Sequence, residues 1–478
     1  MAKITKQSED FSKWYLDTVK IAELADYSKV KGCMVIKPWG YAIWEHLQRG
    51  LDKKIKAAGV KNVYFPMFIP ESFINREKEH VEGFAPECAI VTHGGGKKLA
   101  EPLYVRPTSE TIMYDTFSEW IQSYRDLPLK INQWANIVRW EMRTRPFLRT
   151  TEFLWQEGHT AHETKEEADA EANRALKMYK DFDREFLALP VLTGKKSEKE
   201  KFAGALYTLC TEALARDGKA IQAGTSHNLG QGFAESFGIN FLDKNNESQK
   251  VWQTSWGVST RLIGTIIVVH GDDNGLRLPP RVAPVQIMGV PIYRSDDDKA
   301  NVMGAFEKIK EGISKIKWND EEIRFEIDDR DEMSPGYKFN EWESKGVPLR
   351  IELGPKDFEN GSCVLVRRDT GEKQNVKLSD VVEAIPDIMT DIQTGLYDQA
   401  KKFQEENTSD VTDYQEFKQK LEEGGFLRSG WCGSEKCEQK IQEETKATIR
   451  IVESESDDGE CVYCAAKSQY KVILAKAY

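Results

Sequence analysis

Residues 141–163 read EMRTRPFLRTTEFLWQEGHTAHE, setting Arg143, Arg145 and Arg149 beside a segment whose alternate positions are Phe153, Trp155, Glu157 and His159. A strand sends successive side chains to opposite faces, so those four share one face and Glu152, Leu154 and Gln156 the other. Two aromatics, a carboxylate and an imidazole suit neither a core face nor a solvent face, and point to a small charged ligand. Residues 129–141 also have strand character, so the two segments read as an antiparallel hairpin carrying Arg139 and Glu141. Such a hairpin offers what a nucleoside triphosphate needs outside a P-loop: Arg139 to clamp a phosphate, an aromatic to stack on the base, and a carboxylate to read an exocyclic amine. No Walker sequence is present; residues 93–98 (HGGGKK) lack its glycine spacing and read as a mobile loop. Taken alone, the hairpin also fits an ordinary half-buried ribbon with a solvated basic tip.

The elements that must position this face follow from periodicity. Residues 41–58 have helical apolar spacing, Gly59 stops them, and residues 63–70 (VYFPMFIP) read as a short strand whose Pro66 marks an edge or an interface. A long helix is expected over 163–187, strands over 219–230 and 251–257, and a helix over 260–270 with Arg261 in its first turn. Turn formers crowd residues 272–284, the first domain boundary. Beyond it, strands at 285–292, 324–329, 348–354 and 362–369 and a basic helix over 305–317 suggest a small α/β domain. A charged helical stretch begins near Asp387.

With 67 basic against 78 acidic residues the net charge is −11 and the pI about 5.4, so any polyanion site must be local. A length of 478 residues implies two to four domains. The charged start lacks a signal peptide's apolar run and no segment matches a membrane span, which gives a cytoplasmic expectation without membrane contact. Cys33, Cys88, Cys210 and Cys363 are scattered, whereas Cys432 and Cys437 enclose four residues, Cys461 and Cys464 enclose two, and 23 lie between the pairs. Two tight pairs can close a tetrahedral shell around a structural Zn²⁺; four unrelated reduced cysteines are the alternative.

The motifs together resemble a known family. RWE (139–141) through RTTEF (149–153) resembles motif 2 of the class II aminoacyl-tRNA synthetases, residues 59–66 motif 1, and WGVSTR (256–261) motif 3 in the form used by prolyl-tRNA synthetases. RPTSET (106–111) resembles that family's amino-acid loop and GTSHNLGQ (224–231) its second pocket segment. The resemblance runs essentially end to end, to the type shared by archaea, eukaryotes and some bacteria. It implies an α+β multidomain protein: an antiparallel-sheet catalytic domain at 1–284, an α/β anticodon-binding domain at 285–386, and a small α+β zinc-containing C-terminal domain at 387–478. It implies a ligase that activates L-proline with ATP and Mg²⁺ and transfers it to tRNA(Pro), working as a homodimer built on motif 1.

Roles carry over residue by residue. Arg139 and Arg261 would be catalytic, with Glu141, Arg149, Phe153, Gln222, Thr225 and Ser259 completing the ATP site. Thr108, Glu110, Arg139, Trp155, Glu157, His159, His227 and Ser255 would form the proline pocket. Lys338, Glu343 and Arg350, with Glu341 and Glu352 nearby, would read the anticodon, where Arg suits guanine and carboxylates suit exocyclic amines. About a hundred residues separate Arg149 from Gly257, so no editing insertion is expected between motifs 2 and 3. Tyr478 matches the family's terminal tyrosine, which reaches toward the active site. An idle paralogue kept as an RNA-binding or regulatory module is the rival reading. A threonine or serine enzyme is disfavoured because no cysteine ligand for a pocket zinc falls on these strands.

Overall fold

The computed structural model describes residues 3–76 and 88–478. Among them an eleven-stranded sheet forms the spine, in the order Thr408–Asp410, Phe426–Trp431, Tyr470–Ala475, Thr448–Ser454, Leu192–Lys195, Tyr207–Leu214, Ala220–Gly230, Trp252–Ser259, Glu152–His162, Leu129–Val138 and Lys61–Asn62. The pairings are antiparallel except those of the two outermost strands. The sheet therefore passes without a break from the strands within residues 129–259 into those within residues 408–475, joined where Val452 pairs with Lys195.

Helix Lys165–Glu185 begins at Thr164, whose hydroxyl accepts from Glu167 N, and Glu166 and Glu167 in its first turn complement the helix dipole. Its buried stripe of Ala168, Ala172, Ala175, Tyr179 and Phe182 recurs at three- and four-residue spacing and packs on the sheet. Tyr179 also donates to Gln156 Oε1 at 2.7 Å, so the Gln156 face of the hairpin backs onto this helix and the Trp155 face is left open. Helix Arg261–His270 is buried from Leu262 onward in the same core.

After the turn-rich linker, a second sheet has the order Phe325–Ile327, Ile287–Pro291, Leu349–Leu353, Ser362–Arg367, Lys373–Lys377. Helix Asp296–Ile313 packs against it.

Several local expectations change. Residues 63–67 are not strand: the pairing stops at Asn62 and resumes at Phe68–Pro70, because Pro66 has no N–H to give a ladder. HGGGKK is not a loose loop. It is a hairpin in which Gly94 pairs with Lys97, and Gly95 and Gly96 take φ of 58° and 77°, the pattern a two-residue type I′ turn requires. The basic helix starts at Asp296 rather than Ala305, since Ser295 caps it with a bond from Asp298 N. The later charged helix, Val381–Glu406, begins six residues before Asp387.

Candidate active site

Phe153, Trp155, Glu157 and His159 line one cavity, which is why the opening segment alternates as it does. Beside them on neighbouring strands of the same sheet stand Gln222, Thr225 and His227 from Ala220–Gly230, and Ser255 and Ser259 from Trp252–Ser259; Thr108, Glu110, Arg139 and Arg261 close the ends. Register brings them together: Ser255 lies opposite both His159 and His227.

One end is acidic. Glu157 is buried and accepts from Ser109 Oγ at 2.6 Å and Gln133 Nε2 at 2.8 Å, with His159 Nε2 at 3.0 Å from its other oxygen. Thr108 donates to Glu110, whose helix, Glu110–Trp120, starts at that residue. Burial alone would lower His159, but the Glu157 hydrogen bond and the Glu110 charge outweigh it and hold the imidazole above its ordinary pKa. Its other nitrogen lies 3.0 Å from the Tyr114 hydroxyl. His227 goes the other way: burial pushes it down to about 4, so it is neutral at pH 7.

The other end is cationic. Arg139 Nε donates to Pro107 O at 2.9 Å, and its guanidinium sits 5.6 Å from the Phe153 ring and 5.7 Å from the Trp155 ring. Arg261, at the first position of its helix, donates from Nε to Leu148 O at 3.2 Å. Burial, and then the neighbouring Arg139, pulls Arg261 below the usual guanidinium range. Cations gathered this way in a half-buried pocket favour an anion between them. Trp155 Nε1 and Ser255 Oγ are buried without hydrogen-bond partners, which leaves both available to a ligand.

Glu141 and Arg149 lie outside this lining and form an ion pair at 2.7 Å, each serving as the other's counter-ion. Lys196, Glu200, Phe202 and Thr208 line the cavity although the sequence did not single them out. No motif marks them. Thr208 is placed by its register opposite His227, and the Phe202 ring by contact with that imidazole at 4.6 Å.

Of the three anticodon candidates, Glu343 and Arg350 share a groove with Arg277, Arg367, Arg368 and Lys373. Lys338 is buried outside it, donating to Asp328 O at 2.8 Å. The Cys432, Cys437, Cys461 and Cys464 sulfurs all lie within 4.8 Å of one another, with Cys432 at 3.7 Å from Cys437 and 3.8 Å from Cys464. Thiolates around Zn²⁺ at about 2.3 Å stand about 3.8 Å apart in a tetrahedron, so the four fit that ion. Tyr478 is pinned: its N–H donates to Ala220 O, its hydroxyl to Asp217 at 2.9 Å, and Arg145 covers its ring at 5.6 Å.

Comparison with known proteins gives three matching family models: "tRNA synthetase class II core domain (G, H, P, S and T)" over residues 95–270, "Anticodon binding domain" over 282–388, and "Prolyl-tRNA synthetase, C-terminal" over 414–478. A protein of Chlorobium chlorochromatii (strain CaD3) named "Proline--tRNA ligase" is 55% identical over 486 residues, covering 100% of this chain and 99% of its own. Proteins with the same name from Natranaerobius thermophilus (53% identical; 100% and 98% covered) and Roseiflexus sp. (strain RS-1) (54%; 99% and 99%) are similar to it as well.

Proposed function

We propose, because this chain belongs to the proline–tRNA ligase family of class II synthetases, that its two-ended pocket joins L-proline to the α-phosphate of ATP and passes the prolyl group to the 3′ end of tRNA(Pro). The observation that carries this reading is the separation of charge across a short cavity. Buried Glu110 and Glu157 suit a secondary ammonium, and Arg139 and Arg261 suit a carboxylate and phosphates, with an aromatic wall between them. The prolyl carboxylate oxygen attacks the α-phosphorus in line, the bond to the β-phosphate breaks, and pyrophosphate leaves. Two anions must meet, so positioning and charge neutralisation do the work and no protein nucleophile is required.

Arg139 bridges the prolyl carboxylate and the α-phosphate, and Arg261 with Arg149 takes the γ-phosphate end, where the helix N-terminus adds its own preference for anions. Release of Arg149 to phosphate frees Glu141 for the adenine amine, with Phe153 stacking on the base and Gln222, Thr225 and Ser259 binding around it. Mg²⁺ brought in with ATP would neutralise part of its charge; the amide and hydroxyl oxygens of these last three residues would suit an ion that keeps most of its waters. Thr108, Trp155, His159, His227 and Ser255 shape the proline site.

Zn²⁺ held by the four thiolates would be structural, its shell being closed. Residues 1–284, 285–386 and 387–478 serve as catalytic, anticodon-binding and C-terminal domains. Glu343 and Arg350 are the better anticodon readers, since Lys338 is spent on Asp328. Exposed Tyr64 within motif 1 and Phe68 just after it support a homodimer interface there. No helix of the described residues is long and apolar enough to cross a membrane, in keeping with a cytoplasmic enzyme. Charging of a tRNA(Pro) transcript with labelled proline tests the reading. Prolyl-tRNA is the expected product, and failure of a folded, zinc-loaded sample to make any would favour the idle paralogue.

A further inference from the structure

The pocket edge formed by residues 196–205 is tied to the C-terminal domain. Ser197 Oγ donates to Glu438 Oε1 at 2.6 Å, both residues buried, and Glu438 lies on helix Glu435–Thr445. Lys199 donates to Gln442, one turn further along the same helix. Lys196 donates to fully buried Glu212 at 2.7 Å, and Glu212 receives Arg450 of strand Thr448–Ser454 at 2.8 Å. The far end of the segment is fastened to the pocket: Phe202 N donates to Thr208 Oγ1 at 3.0 Å, and that hydroxyl lies 2.9 Å from His227 Nδ1. Glu200 and the Phe202 side chain of this segment line the cavity.

We propose that Glu438 is a positioning residue for amino-acid binding: through Ser197 it sets the pose of residues 196–205, and with it the wall that Phe202 presents beside His227. This inference rests on the proline-activating reading above. A buried hydroxyl-to-carboxylate bond between segments 241 positions apart holds a loop that has little regular structure of its own. Its loss would leave the fold intact and widen the loop's range of poses.

The test compares wild type with Glu438→Ala, Glu438→Gln and Ser197→Ala in proline-dependent pyrophosphate exchange, varying proline and ATP separately, and in limited trypsin digestion read at Lys199 and Lys201. Both alanine variants should raise the KM for proline about tenfold, leave the KM for ATP within about twofold, and be nicked faster at those lysines. Glu438→Gln, which keeps an oxygen to accept from Ser197, should resemble wild type. Alanine variants unchanged in both measurements, a glutamine variant as impaired as alanine, or a KM for ATP that rises as far as that for proline would each overturn the proposal. If Glu438→Ala does not fold, Ser197→Ala breaks the same bond from the other side. Wild type lacking proline-dependent exchange would instead overturn the parent reading, while the digestion still decides whether Glu438 holds the loop.

Discussion

At the scale of single residues, function lies in how burial and neighbours set charge. Glu157 and His159 share a hydrogen bond in the same buried end of the pocket, and the carboxylate keeps the imidazole charged above its ordinary pKa. Glu157→Gln keeps the shape and removes the charge. It should lower kcat/KM for proline about 10- to 100-fold, with a smaller change in the KM for ATP, as measured by pyrophosphate exchange. The face carrying these groups was readable from the chain, because a period of two fixes which side chains share a side. Lys196, Glu200, Phe202 and Thr208 were not, since a loop and a strand register bring them in and neither leaves a local pattern. The burial of Lys338 was equally hidden: its helix spacing is that of a solvated face, and only Asp328 from another segment explains its position.

At the scale of elements, close packing between strands decides what the pocket tolerates. A Cβ on Gly158 would come within 2.2 Å of the Trp256 ring, itself buried against Tyr179. Gly158→Ala should therefore destabilise the protein by about 1–3 kcal/mol, read as a lowered denaturant midpoint with unchanged slope. Long periodic helices and the strands at 129–138, 152–162 and 220–230 were visible in the sequence. The failures came where backbone chemistry overrode composition. Pro66 interrupts an otherwise apolar run, and the glycines of HGGGKK supply two left-handed residues that close a hairpin rather than loosen a loop.

At the scale of the whole molecule, the C-terminal domain continues the catalytic sheet, a pairing of Val452 with Lys195 that no local sequence signal announces. Zinc should stabilise more than its own corner. One zinc per chain is expected by metal analysis, and chelation or Cys464→Ser should lower the thermal midpoint. Stability should also depend on pH. Desolvation pushes buried His162 and His270 and half-buried His227 down to about 4, so between pH 6.5 and 4 the unfolded chain binds protons that the native state refuses, and stability is lost as pH falls. Each contributes on the order of 3 kcal/mol at most. His159, raised, acts oppositely: its contribution is present below about pH 6.5 and is lost as pH rises through its native value. The three lowered histidines, with His46 pushed down to about 3, outweigh His159 and buried Asp183, which is pushed up to about 8 and gains stability as pH falls, so the thermal midpoint should drop on acidification from pH 6.5.

Formation of prolyl-adenylate is the reaction proposed for the charge-separated pocket. The measurement that tests it most directly is amino-acid-dependent exchange of pyrophosphate into ATP with Mg²⁺, run with each of the twenty amino acids on wild type and on Arg139→Ala. Exchange with proline should exceed that with the others and fall about 10²- to 10³-fold or more in the variant, because one guanidinium there serves both reacting anions. Exchange led by another amino acid, or proline-dependent exchange that survives the loss of Arg139, would contradict this proposal.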